Sequence, residues 1–341
     1  MGGGVIGQSV AWRAATDGWD VTLYDPAPGA GASHVAGGML APMSEGWPGE
    51  GALLELGAAS LDRWPAFAEE LRADVFTAEA TLTVALDSAD AADLRTAAEW
   101  VAAHGYDVRL LTRAEVRARE PVLTHGIRLG LLAPTECSVD NRLLLDALRD
   151  AALAAGVEFV RRAVDTLELA DQVVLAAGVR SAQLWPGLPV RPVKGEILRL
   201  RRTPGAIAPP STTIRSRVHG RPVYLVPRND GIVVGATQYE HGEDTAVTVR
   251  GVRDLLVDAE ELFAGIGEYE LAEANAGLRP MTPDNLPLIG RLSDRVIVAT
   301  GHGRGGILLA PVTADAVLAE LGGNTIAEAK HADPQRFGGN A

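Results

Sequence analysis

The chain has 341 residues, enough for two domains that each bury an apolar core, and its 47% hydrophobic and 22% charged content is typical of a soluble globular protein. Its net charge of −13 argues against a nucleic-acid partner, because phosphate binding needs clustered cations. No apolar run reaches the roughly 20 residues of a membrane span, no signal peptide is expected, and the single cysteine, Cys137, indicates a reducing cytoplasm.

The predicted elements alternate between helices and strands in the first half of the chain. Apolar periodicity predicts helices over residues 5–15, 53–71, 89–103 and 141–155. Short β-rich runs predict strands over residues 21–25, 81–86, 157–161 and 173–178, the last of which runs into a glycine. Residues 26–38 are rich in Ala, Gly and Pro and predict a loop.

Strands dominate the next part of the chain. They are predicted over residues 196–200, 223–226, 232–236 and 296–300, and the last of them runs into a glycine-rich loop and a helix over residues 307–321. The pattern predicts an α/β nucleotide-binding domain interrupted by a β-rich second domain. The polar residues after Gly322 are expected to be loose.

A dinucleotide fingerprint opens the chain. Gly2, Gly4 and Gly7 satisfy G-x-G-x-x-G before a helix, whose N-terminus favours a phosphate. Asp25 lies at the end of the next strand, where a carboxylate can bind ribose hydroxyls. A Rossmann unit needs an apolar strand before its first glycine, and here only Met1 precedes it. Either the start has been assigned too late, which is favoured, or the protein folds without that strand.

Five further segments carry a resemblance that spans nearly the whole chain. They are Ala-Gly-Gly-Met-Leu-Ala-Pro at 36–42, Pro-Val-Lys-Gly-Glu at 192–196, Tyr-Leu-Val-Pro-Arg at 224–228 before Gly-Ala-Thr at 235–237, Ala-Gly-Leu-Arg-Pro at 276–280, and Gly-His-Gly-Arg-Gly-Gly-Ile-Leu-Leu-Ala-Pro at 301–311. In this order they resemble the glycine oxidase/D-amino acid oxidase family, and within it the bacterial enzymes linked to thiazole synthesis for thiamine.

The resemblance implies a fold and its division. The expected class is α/β with an α+β second domain, in which a Rossmann-type FAD-binding domain is interleaved with an antiparallel-sheet substrate domain. The FAD-binding domain is expected at residues 1–75, 136–190 and 280–325, the substrate-binding domain at 76–135 and 191–279, and a loose tail at 326–341.

The resemblance also implies the residues that hold FAD. Asp25 would hold the adenosine ribose, Val164 would hold the adenine through its backbone, and residues 302–308 would wrap the flavin pyrimidine end. Val35 stands where covalent relatives carry a histidine, so the flavin is expected to be non-covalent. The complete expected set is Gly2, Gly4, Val5, Ile6, Gly7, Asp25, Pro26, Ala32, Ser33, Gly37, Gly38, Met39, Val164, Gly178, His302, Gly303, Arg304, Gly305, Gly306, Ile307 and Leu308.

Three residues are expected to act on the substrate. Arg279 would anchor its carboxylate, since a planar guanidinium matches a carboxylate bidentately. Tyr224 would donate to the same carboxylate, and Arg304 would be a second cation beside the pocket. Met39 and Gln238 would complete the substrate pocket, and Gln238 stands where relatives often carry an apolar residue.

Each of these residues also has a structural interpretation. Without the resemblance, Arg279 is equally well a surface ion pair, and Tyr224 is more often a core residue with a satisfied hydroxyl. Met39 is by default a packing residue. His302 suggests a metal ligand only weakly, because no His/Cys/Asp cluster at metal spacing surrounds it, and no metal is expected.

The leading functional hypothesis is an oxidase that converts glycine or another small amino acid, with oxygen, to the oxo acid, ammonia and hydrogen peroxide. One alternative is a D-amino acid dehydrogenase that passes electrons to a quinone or carrier. The other is a flavin-fold protein that binds without catalysis. The resemblance implies a thiazole synthase downstream and a homo-oligomer, with no membrane partner.

Overall fold

The computed structural model describes residues 1–168 and 170–338. The helices are α1 (Val5–Thr16), α2 (Ala32–Val35), α3 (Gly51–Leu71), α4 (Ser88–Ala103), α5 (Arg113–Arg119), α6 (Asn141–Ala154), α7 (Ser181–Leu184), α8 (Val249–Leu262) and α9 (Ala310–Leu321). The strands are β1 (Thr22–Tyr24), β2 (Met39–Leu40), β3 (Phe76–Ala85), β4 (Arg109–Thr112), β5 (Leu129–Val139), β6 (Glu158–Val160), β7 (Val173–Leu175), β8 (Arg191–Arg201), β9 (Thr213–Val218), β10 (Arg221–Arg228), β11 (Gly231–Gly235), β12 (Glu270–Met281), β13 (Leu288–Arg291) and β14 (Val296–Thr300). Single 3-10 turns lie at Gly178–Arg180, Ala264–Glu268, Gly303–Gly305, Ala327–Ala332 and Pro334–Phe337.

The structure contains one large, mostly antiparallel sheet. Its strands run in the order β12-β8-β11-β10-β9-β3-β5-β2, with β4 also paired to β5. Neighbours are antiparallel except for the parallel pair β3 and β9. Helix α8 covers one face and buries Leu255, Leu262 and the following Phe263 against apolar side chains of the strands. The opposite face of this curled sheet lines the cavity described below.

Two small sheets lie at the nucleotide-binding end. β1 pairs with β6, while β7 pairs with β14, which pairs with β13. Met1 and Gly2 link the two sheets: the Met1 nitrogen donates to the Val174 carbonyl at 2.8 Å, and the Gly2 N–H donates to the Tyr24 carbonyl at 2.9 Å.

The main apolar core gathers helices α1, α3, α6 and α9 around the small sheets. Its aromatic centre is formed by Phe67, whose ring meets those of Trp12 and Trp64 edge-on at 5.3 and 5.4 Å. Such side chains each contribute about 1.5–3 kcal/mol when fully buried. The helix periodicity predicted all four helices, and the predicted start of α9 is three residues early because the turn at residues 307–309 is not yet helical. None of the helices in the described ranges is both long and apolar enough to cross a membrane.

The predicted fold class is confirmed by this mixed α/β architecture with its antiparallel sheet. The division into two domains stays a prediction. Two of its boundaries, 135/136 and 279/280, fall inside single strands, because β5 and β12 run unbroken past them. The predicted loose tail carries two 3-10 turns and buries Ala332, while its residues 339–341 lie outside the described residues.

Candidate active site

A cavity of about 740 Å³ is lined by the glycine-rich turn before α1 and by one face of the large sheet. Its wall includes every site residue predicted from the sequence apart from Gly7. Gly7 packs under the turn instead: a Cβ there would lie 1.8 Å from the Gly2 carbonyl oxygen. The tertiary structure therefore brings the separate sequence motifs to one place, and the roles of the residues there stay proposals.

The turn before α1 has the features of an anion site. Gly2 has a φ of +100°, and a Cβ on it would lie 2.3 Å from the Ala176 carbonyl, so only glycine fits. Helix α1 starts without an acidic residue in its first turn or a side-chain cap from Gly4. The partial positive charge of its N-terminus therefore faces a cavity in which a pyrophosphate can sit.

Asp25 and Ser33 support this turn. The Asp25 carboxylate accepts from the Gly3 and Ala27 N–H groups, both at 2.7 Å, and lies at the end of β1 on the cavity wall. Each oxygen keeps a free lone pair for a ribose hydroxyl. Ser33 lies on α2, in a segment predicted as loop, and its hydroxyl accepts from the Val5 N–H at 3.0 Å. The fit to a dinucleotide thus rests on contacts of this chain's own residues.

Tyr224 and Arg279 lie over glycines of the large sheet. Tyr224 on β10 faces Gly235 on β11, where a Cβ would come within 2.2 Å of the phenol oxygen. Arg279 on β12 lies over Gly195 on β8, where a Cβ would come within 2.2 Å of Arg279 Nη1. The side chains of Tyr224 and Arg279 can lie over the sheet here only because these neighbours have no side chain.

Arg279 keeps its positive charge available. Its Nη1 donates to the Thr237 carbonyl at 3.2 Å, and no carboxylate of the described residues forms an ion pair with it. Burial raises the pKa of Tyr224 in spite of the nearby Arg279, so its hydroxyl stays a neutral donor at physiological pH. Together they offer a cation and a hydroxyl donor on one wall, which is the chemistry that binds a carboxylate.

Arg304, in contrast, is already paired. Its Nε donates to Glu45 at 2.6 Å and its Nη2 to Glu50 at 3.1 Å. Glu45 also accepts from Arg215 on β9. Burial would favour the neutral acid, but the two guanidinium groups outweigh it and lower the pKa of Glu45 to about 2. Arg304 lies on the cavity wall as predicted, but its guanidinium group is already paired with Glu45 and Glu50.

Glu136 on β5 holds the segment that carries Glu45. Its carboxyl group accepts from the Met43 N–H, the Ser44 N–H and the Ser44 hydroxyl, each at 2.7 Å. Burial raises its pKa to about 7, although the hydrogen bonds from Ser44 oppose this. The buried Glu136 side chain therefore holds the backbone of the two residues that precede Glu45.

His302 is a neutral, buried side chain. Its Nε2 lies 3.0 Å from the Thr313 hydroxyl, and burial lowers the pKa of its imidazole to about 3. In the part of the chain that the structure describes, no three His, Cys, Asp or Glu residues are grouped as metal ligands. At neutral pH the His302 ring is therefore the neutral imidazole and not the imidazolium.

Arg215, Glu45 and Glu136 were not among the residues predicted for the site. Arg215 lies outside the recognised segments, and Glu45 and Glu136 each look like an ordinary surface acid in an otherwise apolar or small-residue stretch. Glu45 follows the Ala-Gly-Gly-Met segment by only six residues, which was the one available hint. Their contacts become visible only in the tertiary structure, where the segment after β2 meets Glu136 on β5 and Arg215 on β9.

Known proteins resemble the chain over nearly its whole length. A sequence model of the DAO family, described as FAD dependent oxidoreductase, matches residues 1–321. The chain is 33% identical over 365 residues to a bifunctional protein ThiO/ThiG of Synechocystis, covering 99% of this chain and 53% of that protein, so it spans about half the length of that relative. It is 32% identical over 344 residues to a glycine oxidase of Geobacillus kaustophilus, covering 92% and 89% of the two chains. The crystal structure of glycine oxidase from Geobacillus kaustophilus matches with a TM-score of 0.92 at 29% identity, covering 99% and 98%.

Proposed function

We propose, since the chain belongs to the DAO family of FAD-dependent oxidoreductases, that it oxidises glycine or another small amino acid to the oxo acid, ammonia and hydrogen peroxide. The observation that carries the proposal is the Arg279 guanidinium, which has no carboxylate partner among the described residues and lies on the cavity wall with Tyr224. The comparisons support glycine as the substrate, since the glycine oxidase of Geobacillus kaustophilus is similar to this chain in both sequence and structure.

The residues of the cavity fit FAD. The turn at Gly2 and the N-terminus of α1 suit its pyrophosphate, and Asp25 suits its ribose. Val35 on the cavity wall offers no nucleophile, which supports non-covalent binding. When bound, FAD would supply a two-electron acceptor for the oxidation of the substrate, with dioxygen as the proposed final acceptor.

The protein's own residues bind and orient the amino acid. Arg279 pairs with the carboxylate, and Tyr224 donates its hydroxyl hydrogen to the same group. Glu45 remains ionised at neutral pH and is held by two arginines, and His302 is neutral, so neither is suited to exchange a proton with the substrate. We therefore propose that the substrate amine reacts in its neutral form, and that the pocket acts mainly by alignment.

The cavity wall around Tyr224 combines polar and apolar side chains. Met39 and Gln238 lie on the wall with Tyr224, and Ile197 and Ala236 form a small apolar cluster around Tyr224 and Met39. This cluster leaves a partly apolar surface for a short side chain. We assign Met39 and Gln238 to the substrate end on this basis.

The physiological setting is part of the same proposal. The similarity to a bifunctional ThiO/ThiG protein supports a role in thiamine biosynthesis, with thiazole synthase as the downstream partner. Oxygen as electron acceptor, a homo-oligomeric state and a cytoplasmic location stay predictions. Burial raises the pKa of the single cysteine, Cys137, to about 12, so its thiol stays protonated and unreactive at neutral pH.

The visible spectrum of the purified protein tests the proposal. We expect a yellow protein whose flavin bands near 450 nm, a property of the cofactor, bleach when glycine is added without oxygen and return when air is admitted. Bleaching followed by slow recovery in air but fast recovery with a quinone would show that the protein is a dehydrogenase and not an oxidase. A protein that stays colourless when FAD is added would refute both.

A further inference from the structure

Two arginines and one glutamate form a second charged group on the cavity wall. Glu45 accepts from Arg215 through one carboxylate oxygen and from Arg304, at 2.6 Å, through the other. All three line the same cavity as Arg279 and Tyr224. We call Arg215, Glu45 and Arg304 the bridged cluster.

The bridged cluster lies close to the proposed substrate carboxylate site. In the β9–β10 pairing Arg215 lies directly opposite Tyr224, and residues directly opposite in a sheet present their side chains on the same face. Arg215 Nη1 is also 3.7 Å from the Met39 sulfur. Both Arg215 and Glu45 are among the charges that act on the Tyr224 hydroxyl, together with Arg279.

The charges show which anion site is open and which is closed. Arg304 is shared by Glu45 and Glu50, whereas Arg215 pairs only with Glu45 among the described residues. Two guanidinium groups that converge on one carboxylate have the geometry of an anion subsite. Here that subsite is filled by a side chain of the protein itself, while Arg279 remains open.

We propose that Glu45 occupies a second anion subsite, built by Arg215 and Arg304, and thereby restricts the substrate to amino acids with a single carboxylate. The proposal rests on the proposed function, because it takes Arg279 to hold the first carboxylate. A second carboxylate has either to displace Glu45 or to lie beside it, and like charges brought together in a protein site repel each other strongly. Glu45 thus determines specificity by repulsion.

The holoenzyme can be tested with unreactive acids, using the change in the flavin spectrum to measure binding. The ligands are acetate and propionate, compared with malonate, succinate and glutarate so that no spacing between the two anion sites is assumed. We expect the wild type to bind the monocarboxylates more tightly than any of the dicarboxylates. We expect Glu45→Gln to bind at least one dicarboxylate about tenfold or more tightly than the wild type does, with little change for acetate.

Two further variants show where a gain comes from. Glu273→Gln is the matched control, because Glu273 also has its pKa lowered to about 2, by Arg142, but lies outside the cavity wall. It should bind the acids as the wild type does. Adding Arg215→Met to Glu45→Gln should abolish the gain. In turnover, Glu45→Gln should raise kcat/KM for D-aspartate relative to D-alanine by a similar factor.

The outcomes separate this inference from the proposed function. If the wild type binds no monocarboxylate and glycine does not bleach it, the proposed function fails. If acetate binds but Glu45→Gln gains nothing for any dicarboxylate, only the role of Glu45 is refuted. Should Glu45→Gln not fold, the wild type still decides, since tighter binding of a dicarboxylate than of acetate would overturn the inference.

Discussion

Arg279 is the residue on which the proposed chemistry depends most, and its replacement by methionine removes the charge while keeping a long side chain. The guanidinium makes one backbone contact, at 3.2 Å to Thr237, so its loss should hardly affect folding. Losing one partner of a buried, hydrogen-bonded charge pair costs about 2–5 kcal/mol. At about 1.4 kcal/mol per factor of ten, kcat/KM for glycine should fall by about 30-fold to 3000-fold.

Gly195→Ala tests the same site without touching the arginine. The added Cβ would lie 2.2 Å from Arg279 Nη1, so the guanidinium must move away from its position over β8. We expect at least a tenfold loss of kcat/KM, since the bidentate geometry is disturbed while the charge remains. Oxygen consumption measures kcat/KM, and the spectral titration with acetate measures binding directly.

A surface arginine serves as control for these two variants. Arg149 on α6 is half-exposed and pairs with Asp146, so Arg149→Met should leave kcat/KM unchanged. If Arg279→Met folds, binds FAD and keeps its kcat/KM for glycine within about threefold of the wild type, the reasoning that places the carboxylate on Arg279 is wrong.

Three further predictions concern other parts of the site. Tyr224→Phe removes one neutral donor and should lower kcat/KM for glycine by about fivefold to tenfold, which matches about 1 kcal/mol for a hydrogen bond; an unchanged value would remove Tyr224 from the site. Asp25→Ala should weaken FAD binding to the apoprotein by at least about tenfold, measured by fluorescence titration, because a charged acceptor contributes about 1.5–3 kcal/mol. Glu136 has its pKa raised from 4.5 to about 7, so its protonated form stabilises the native state fully below pH 4.5 and this contribution is lost as the pH rises through 7. Denaturant titrations should therefore show the wild type losing up to about 3 kcal/mol of unfolding free energy relative to Glu136→Gln between pH 4.5 and 7, and a pH-independent difference would contradict the raised pKa.

Much of the helical framework and the nucleotide-binding turn could be predicted from the sequence. Helices α3, α4 and α6 each bury one face, so their apolar residues recur with the helical period. Helix α1 is buried nearly all round, and its apolar run ends shortly before Gly18. The glycine pattern at residues 2–7 encodes a backbone conformation and close packing that other residues cannot adopt. Such signals are local, and they survive in the one-dimensional order of the chain.

Strand β12 shows why part of the sheet escaped prediction. Its segment Glu-Leu-Ala-Glu-Ala-Asn-Ala-Gly contains no β-branched or aromatic residue, so it has no intrinsic strand signal. It is a strand because it pairs residue by residue with β8 over nearly its whole length. Strand β8 lies about 80 residues before β12 in the chain, so no local pattern can reveal the pairing.

The motifs along the chain predict the family of folds and the cofactor, and they lead to the expectation that Arg279, Tyr224 and Asp25 lie in the site. Which charges of the cavity wall are already paired depends on tertiary contacts that no motif records. Arg279 and Arg304 are both expected as cations at the pocket, but Glu45 and Glu50 pair with Arg304 while no described carboxylate pairs with Arg279. The physical reason is that an ion pair depends on the distance between side chains from separate elements. That distance is set by the packing of loop 41–50 against β5 and β9, and not by the order of residues along the chain.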